Sequence, residues 1–460
     1  MRKTRLCVVV AGLMGLSAHQ LSLAEEGVES SAGQFAAEEI ETFEVNHKFT
    51  METASGPEDA RLGADRDQSY SLRYEPTLIW YSPEKRWPKW RTLVRGWIAY
   101  DSGSAVSSLQ DERREQAEGW NAELREFYVT RNLIGDDPRF SLSFGRQRYS
   151  DYLGLWWDDT FESVRFSYQD DTARGFVAAG QKFYNYNSDV NRLDPSEEDI
   201  ALLMGEYGRS WRIGHWAGIR LMYEDDHSGA DLDDPDDFTG FRYGVFAQGE
   251  YASGSRLNDY HLELAAVTGD RDEVAQAGSR TVDINGWAAI GEVGTQMIDW
   301  RWSPRFSFRA GITDKPDEDQ DGFYLNSIQS DRQVTDDNFS TRLVSSFMGL
   351  QVSNLAYYGV GVEFSPTERS GVNMRLSDLY LRNPDADMPI RSVVPQDPDS
   401  RSLGQVFDVS YSWQRFPEAY KGRLLSVDTL LSAGYFFAGP ATGDLDDEYQ
   451  LTLGVVVRYR

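Results

Sequence analysis

The sequence predicts an all-β fold: a single transmembrane antiparallel β-barrel of about 18 strands, with short periplasmic turns and long acidic outer loops. Three observations lead there. Aromatic residues make up 13% of the 460 residues although mean hydropathy is −0.54, which is too aromatic for an acidic disordered chain. From Phe43 to Tyr459 apolar and polar residues alternate with a two-residue period, the period of a strand with one greasy and one polar face. No stretch approaches ~18 uninterrupted apolar residues, so no segment reads as a membrane-crossing helix.

The start of the chain sets the compartment. Arg2, Lys3 and Arg5 precede an apolar run from Leu6 to Leu16, and Ser22-Leu23-Ala24 forms a small-residue cleavage site. Residues 1–24 therefore read as a secretory signal peptide, 25–41 as a flexible acidic leader and 42–460 as the barrel domain. The single cysteine, Cys7, lies in the signal segment, so an exported product would rely on no disulfide. The net charge of −28 excludes nucleic acid as a partner. Of 46 basic residues only seven are lysine, and arginine is the better residue for planar capture of carboxylates.

The runs follow in order. Phe43, Val45, His47, Phe49 and Met51 form the first apolar line; Tyr70, Leu72, Tyr74, Leu78 and Trp80 form the second, opposed by Arg73 and Glu75. Trp90, Val94 and Ile98 oppose Arg91 and Arg95. Further on, Val164-Phe166-Tyr168 opposes Arg165, Ile219-Leu221 opposes Arg220, and Phe241-Tyr243 opposes Arg242. Phe306-Phe308 opposes Arg309, Val360-Val362 opposes Glu363, Met374-Leu376 opposes Arg375, Phe407-Val409 opposes Asp408, and Val455-Val457 opposes Arg458. Connections alternate between short (135–138, 170–174, 253–255) and long acidic stretches (102–119, 225–237, 270–283, 314–351, 383–402). Trp156-Trp157 and Tyr435-Phe436-Phe437, near run ends, fit interfacial aromatic girdles.

The hairpin from Ala122 to Ser150 breaks the pattern. Arg125 shares parity with Phe127, and Arg146 and Arg148 share parity with Phe144, so strict alternation would aim these arginines at lipid. We expect a bulge near Gly145 that re-aims at least one of Arg146 and Arg148 into the pore beside Glu126.

Several ordered motifs resemble the alginate export porins of bacterial outer membranes. They include Arg125-Glu126-Phe127 with Phe144-Gly145-Arg146-Gln147-Arg148, and Gln181-Lys182-Phe183 with Leu193-Asp194-Pro195. Thr268-Gly269-Asp270-Arg271-Asp272, Ser353-Asn354-Leu355, Gly404-Gln405 and the final Val457-Arg458-Tyr459 extend the series. The chain departs from the family at Glu75-Pro76, where the family has Arg-Pro, and at Leu430 and Ser432, which replace two family arginines. The resemblance implies an 18-stranded AlgE-type channel with an electropositive lumen that passes anionic alginate outward by diffusion. Its implied partners are outer-membrane lipid, the barrel-assembly machinery, the saccharide itself and a periplasmic polysaccharide-export protein.

Strict alternation places Arg73, Arg91, Arg95, Arg165, Lys182, Arg220, Arg242, Arg309, Arg375 and Arg458 inside, against Glu75, Glu224, Glu250, Glu292, Glu363 and Asp408. Ten cations against six anions predict a positive pore wall. The alternatives are an internal ion-pair mesh that braces the lumen, an uptake porin for oligosaccharides or small anions, and a soluble β-rich lectin. Asp317, Asp319 and Asp321 read D-x-D-x-D-G, the first half of an EF-hand-type loop, but position twelve is Ile328. They are candidate Ca²⁺ ligands, and a solvated acidic loop is the plainer reading. His47, His215, His227 and His261 sit in no hydrolase motif, so no enzyme is expected.

Overall fold

The computed structural model describes residues 42–62, 68–83, 88–102, 119–134, 137–230, 234, 236–275, 278–317, 321–334, 340–390, 396–415 and 425–460. The expected signal peptide and leader lie outside these residues. The strands are β1 (Phe43–Ser55), β2 (Gln68–Tyr81), β3 (Trp90–Asp101), β4 (Gly119–Ile134), β5 (Asp137–Ser150), β6 (Asp158–Gln169) and β7 (Ala173–Gln181). They continue with β8 (Ile200–Arg212), β9 (His215–Asp226), β10 (Asp236–Ser253), β11 (Arg256–Ala275), β12 (Gly278–Met297) and β13 (Arg305–Thr313). A separate two-stranded hairpin, β14 (Arg332–Val334) with β15 (Ser340–Arg342), precedes β16 (Leu355–Thr367), β17 (Ser370–Leu381), β18 (Ser402–Arg415), β19 (Leu425–Ala438) and β20 (Glu448–Tyr459).

Every barrel strand pairs antiparallel with its chain neighbours, and β20 pairs with β1 from His47↔Tyr459 to Ser55↔Leu451. That closure makes an 18-stranded sheet without edges. Parity works as the sequence implied. Phe49, Leu72, Val177, Leu221, Phe308 and Val360 are exposed on the outer wall, where lipid replaces water as their solvent. Aromatic contacts ring that wall, among them Phe49 with Tyr74, Tyr358 with Tyr380, Trp302 with Phe364 and Tyr435 with Phe437.

The described parts of the long connection 314–354 fold into the barrel and not away from it. Its Phe323, Ile328, Val344, Met348 and Leu350 pack in one buried cluster with Trp156 and Trp157 of the β5–β6 connection and with Leu62. The inward side chains Met204, Met222, Val267, Ile284 and Val406 complete the cluster from the wall. Each such side chain contributes roughly 1.5–3 kcal/mol on burial, so the outer half of the lumen holds an apolar plug.

Two expectations are corrected here. Trp156 and Trp157 are 1% and 2% exposed inside the plug and belong to no girdle; Phe436, at 0%, points inward while Tyr435 and Phe437 face out. The acidic stretch 270–283 is no loop, because the β11–β12 ladder continues to Ala275↔Gly278. Opposite charges along it, such as Arg271 and Arg280 on Glu273, sustain the ladder.

Candidate functional site

The site begins where β4 and β5 part. Opposite β3, Arg95 pairs with Glu126 and Gly96 with Leu124, which leaves Arg125 as an extra residue. The bulge therefore sits on β4, not at Gly145, and turns both Arg125 and Glu126 inward, where both are buried. Gly145 supplies a bend instead: its φ is +126° and a Cβ there would lie 2.3 Å from the Phe127 carbonyl oxygen. Pairing with β4 stops at Phe127↔Arg146, while β5 stays paired with β6 to Ser150↔Asp158.

Residues 184–188 of the β7–β8 connection fill the vacated edge. The Leu124 N–H donates to the Tyr186 carbonyl at 3.1 Å and the Ser188 N–H to Ala122 at 2.8 Å. Arg146 closes this seam, donating to Glu162 and to the Tyr184 carbonyl at 3.1 Å each and to the Arg125 carbonyl at 3.2 Å. Its guanidinium also lies 5.0 Å from the Tyr186 ring. Arg125 pairs with Glu123 at 2.7 Å and stacks on Trp97, whose ring also meets Arg73 at 4.4 Å.

Arg148 lies beyond this seam, on the part of β5 that pairs with β6 and no longer with β4. It pairs with Asp158 at 3.0 Å and lies within electrostatic reach of Glu75 and Arg95. Asp158 also holds Arg332 of the plug at 2.7 Å. Along the arc from β20 to β5, Lys48 meets Glu75 at 3.8 Å, Arg95 meets Glu75 and Glu126, and Arg458 meets Asp428 at 3.2 Å. These pairs share one polarity. Lys48, Arg95, Arg148 and Arg458 keep 24–35% of their side-chain surface in contact with solvent, whereas their carboxylate partners keep 2–13%.

The other predicted wall residues sit on the opposite side, mostly holding the plug. Arg242 donates to the Tyr324 carbonyl at 2.6 Å and pairs with Glu224, which accepts from Asn326. Arg309 donates to the Leu343 carbonyl and pairs with Glu292. Arg375 pairs with Asp408 at 3.2 Å, and Asp408 accepts the Ser346 N–H at 2.9 Å. Lys182 is enclosed by Asp159 and Glu197, and Arg220 by Glu206 and Glu263. Arg165 stacks on Phe176 at 4.2 Å, and Arg91 stands opposite Tyr81 in the β2–β3 ladder near the short-turn end.

The count of ten cations against six anions does not survive. Asp159, Glu206, Asp259, Glu263 and Asp428 also belong to inward ion pairs and went uncounted, as did Arg305, which joins Asp259, Glu292 and Glu363. Lys48, Arg125, Arg146, Arg148 and Arg174 likewise stand outside the ten, so groups of both signs were left out, and it is the orientation of the pairs along the arc that gives its aqueous face a sign.

Outside the strands, burial pushes the Asp151 carboxyl up against the pull of Arg220 and of the Leu153, Trp156 and Trp157 N–H groups. Of the candidate metal ligands, Asp319 lies outside the described residues, and the Asp321 carboxylate accepts the Asp317 N–H at 3.0 Å. Among the described residues no group of three metal-type side chains converges.

Comparison with known proteins fits this architecture. The profile of the family described as Alginate export matches residues 33–455. The alginate production protein AlgE of Pseudomonas syringae pv. tomato is 30% identical over 253 residues, half of this chain and 49% of that protein. AlgE of Pseudomonas aeruginosa is 23% identical over 355 residues, 68% of this chain and 71% of that one. Among solved structures, Pseudomonas aeruginosa OpdK, determined with vanillate, superimposes with a TM-score of 0.56 at 10% identity, covering 90% of this chain and 98% of its own. OccK3 of the same organism gives 0.54 at 8% identity, over 91% and 96%. The chain thus spans about half of the first of these relatives, and the solved structures share its fold. With the family profile covering nearly all of a closed 18-stranded barrel, this chain belongs to the alginate export family.

Proposed function

We propose that this barrel conducts the anionic polysaccharide alginate outward across the outer membrane by passive diffusion. One observation carries the reading beyond family membership: along the arc from β20 to β5 the cations of the ion pairs face water and their carboxylates face the wall. An anionic chain passing there meets ammonium and guanidinium groups already neutralised from behind. It is attracted without being held, which is what conduction requires. Screening acts over about 8 Å at physiological salt, so the attraction is confined to this arc. Periplasmic delivery of the chain would fall to a separate export protein.

Planar-bilayer recording tests this. The wild type is expected to prefer anions and to be blocked by oligo-mannuronate. Arg148→Gln and Arg95→Gln should each lower the anion-to-cation permeability ratio about threefold, an energy near 0.6 kcal/mol of the order of a single solvent-exposed charge interaction. A wild-type channel that prefers cations at neutral pH refutes the proposal.

A further inference from the structure

We infer that the periplasmic rim of the outer wall is a docking surface for anionic phospholipid, built from arginines that stand beside tryptophans on the lipid-facing side of the barrel. The short turns mark this end as periplasmic. Arg131 of β4 is the clearest case. It shares parity with Phe127, exposed on the outer wall, and stands between Trp90 of β3 and Leu142 of β5. Leu133, two residues nearer the turn, is exposed as well. The Arg131 guanidinium lies 5.0 Å from the Trp90 ring and pairs with no carboxylate among the described residues. Two further couples repeat the arrangement. Arg209 of β8 lies between Tyr207 and Trp211 on the same exposed face, with only Ala173 and Ala217 opposite it on the neighbouring strands. In the β12–β13 turn the Arg301 guanidinium lies 4.8 Å from the Trp302 ring, and Trp302 stacks on Phe364. Arg209 and Arg301 are exposed and likewise have no carboxylate partner among the described residues.

A guanidinium on a lipid-facing wall is costly unless it reaches water or an anion, and the cost falls toward the interface. Tryptophan settles at that interface, and its ring face adds a cation–π attraction that keeps the charge there. The anion at this depth is the headgroup phosphate, which the arginine fork takes up through two parallel N–H bonds. The opposite end of the wall carries the other sign. There the outward-facing Asp378 accepts from the Tyr358 and Tyr380 hydroxyls at 3.0 and 2.9 Å, and Asp225 accepts from Thr239 at 3.3 Å. Arginine beside tryptophan at one rim, and aspartate beside hydroxyls at the other, set the two leaflets apart. The periplasmic rim favours a headgroup of net negative charge, such as phosphatidylglycerol, over a zwitterionic one whose own ammonium competes with the guanidinium.

Native mass spectrometry of the purified barrel in detergent tests this, with phosphatidylglycerol and phosphatidylcholine added in equal amounts. The wild type should retain phosphatidylglycerol severalfold over phosphatidylcholine. Arg131→Gln and Arg209→Gln should each weaken retention of phosphatidylglycerol at one site on the order of fivefold, with heat-modifiable gel migration intact. Arg139→Gln is the control. It removes an exposed cation from the same rim, but one already paired with Asp137 at 2.7 Å, and retention should not change. Equal retention of the two lipids by the wild type overturns the proposal without recourse to any variant. Retention that Arg131→Gln and Arg209→Gln leave unchanged, or that Arg139→Gln lowers as much as they do, overturns it as well.

Discussion

Gly145→Val is expected to cost at least ~3 kcal/mol and to remove most of the heat-resistant folded band on a semi-native gel. Two independent penalties combine. The backbone φ of +126° lies where side chains other than glycine are rarely accommodated, and an added Cβ would stand 2.3 Å from the Phe127 carbonyl oxygen and 2.9 Å from the Tyr128 Cα. Neither neighbour is the flexible end of a side chain, so relief requires moving β4. Gly254→Ala is the control: it too has positive φ, +65°, but nothing lies within 4 Å of its Cβ position. Its cost should stay near ~1 kcal/mol. Equal losses at the two sites would mean that the approach of β5 to β4 at Gly145 carries no energy.

Asp158→Ala should loosen the plug, raising single-channel conductance severalfold and destabilising the barrel by about 3–5 kcal/mol. Asp158 binds Arg332 at 2.7 Å, Arg148 at 3.0 Å and the Ser330 hydroxyl at 2.8 Å. Arg332 is the costly partner, because its side chain keeps only 12% of its surface; Arg148 is better hydrated and adds less. The Asp158 N–H bond to the Ile328 carbonyl at 2.7 Å survives the substitution, so the plug should fluctuate and not unfold. Unchanged conductance together with unchanged denaturant resistance would show that the apolar cluster alone seats the plug.

How much of this could be read from the chain depended on range. Two-residue alternation fixed which face of β2, β3, β13 and β17 turns inward, because one solvent boundary governs every strand. It missed the acids Asp259 and Glu263 because the β11 run was not recognised, and it missed Arg305 because that residue opens its strand directly after Pro304. The irregularity near Gly145 was legible as a conflict of parity between Phe144 and the arginines. Its resolution was not, since the extra residue lies on the neighbouring strand. Trp156 and Trp157 looked interfacial for the same reason that they are buried: both settings reward large aromatic surface. Only the inward fold of the plug separates the two, and the Arg332–Asp158 contact spans 174 residues, beyond any local pattern.

The seam at Arg146 also bears on how the wall is closed. The outer half of β4 finds β3 on one side, but its other edge is completed by residues 184–188 and not by its own hairpin partner. Without residues 184–188 that edge of β4 would leave N–H and C=O groups unpaired, which a membrane wall does not tolerate. Closure of the wall between β4 and β5 therefore depends on the β7–β8 connection as well as on the hairpin itself.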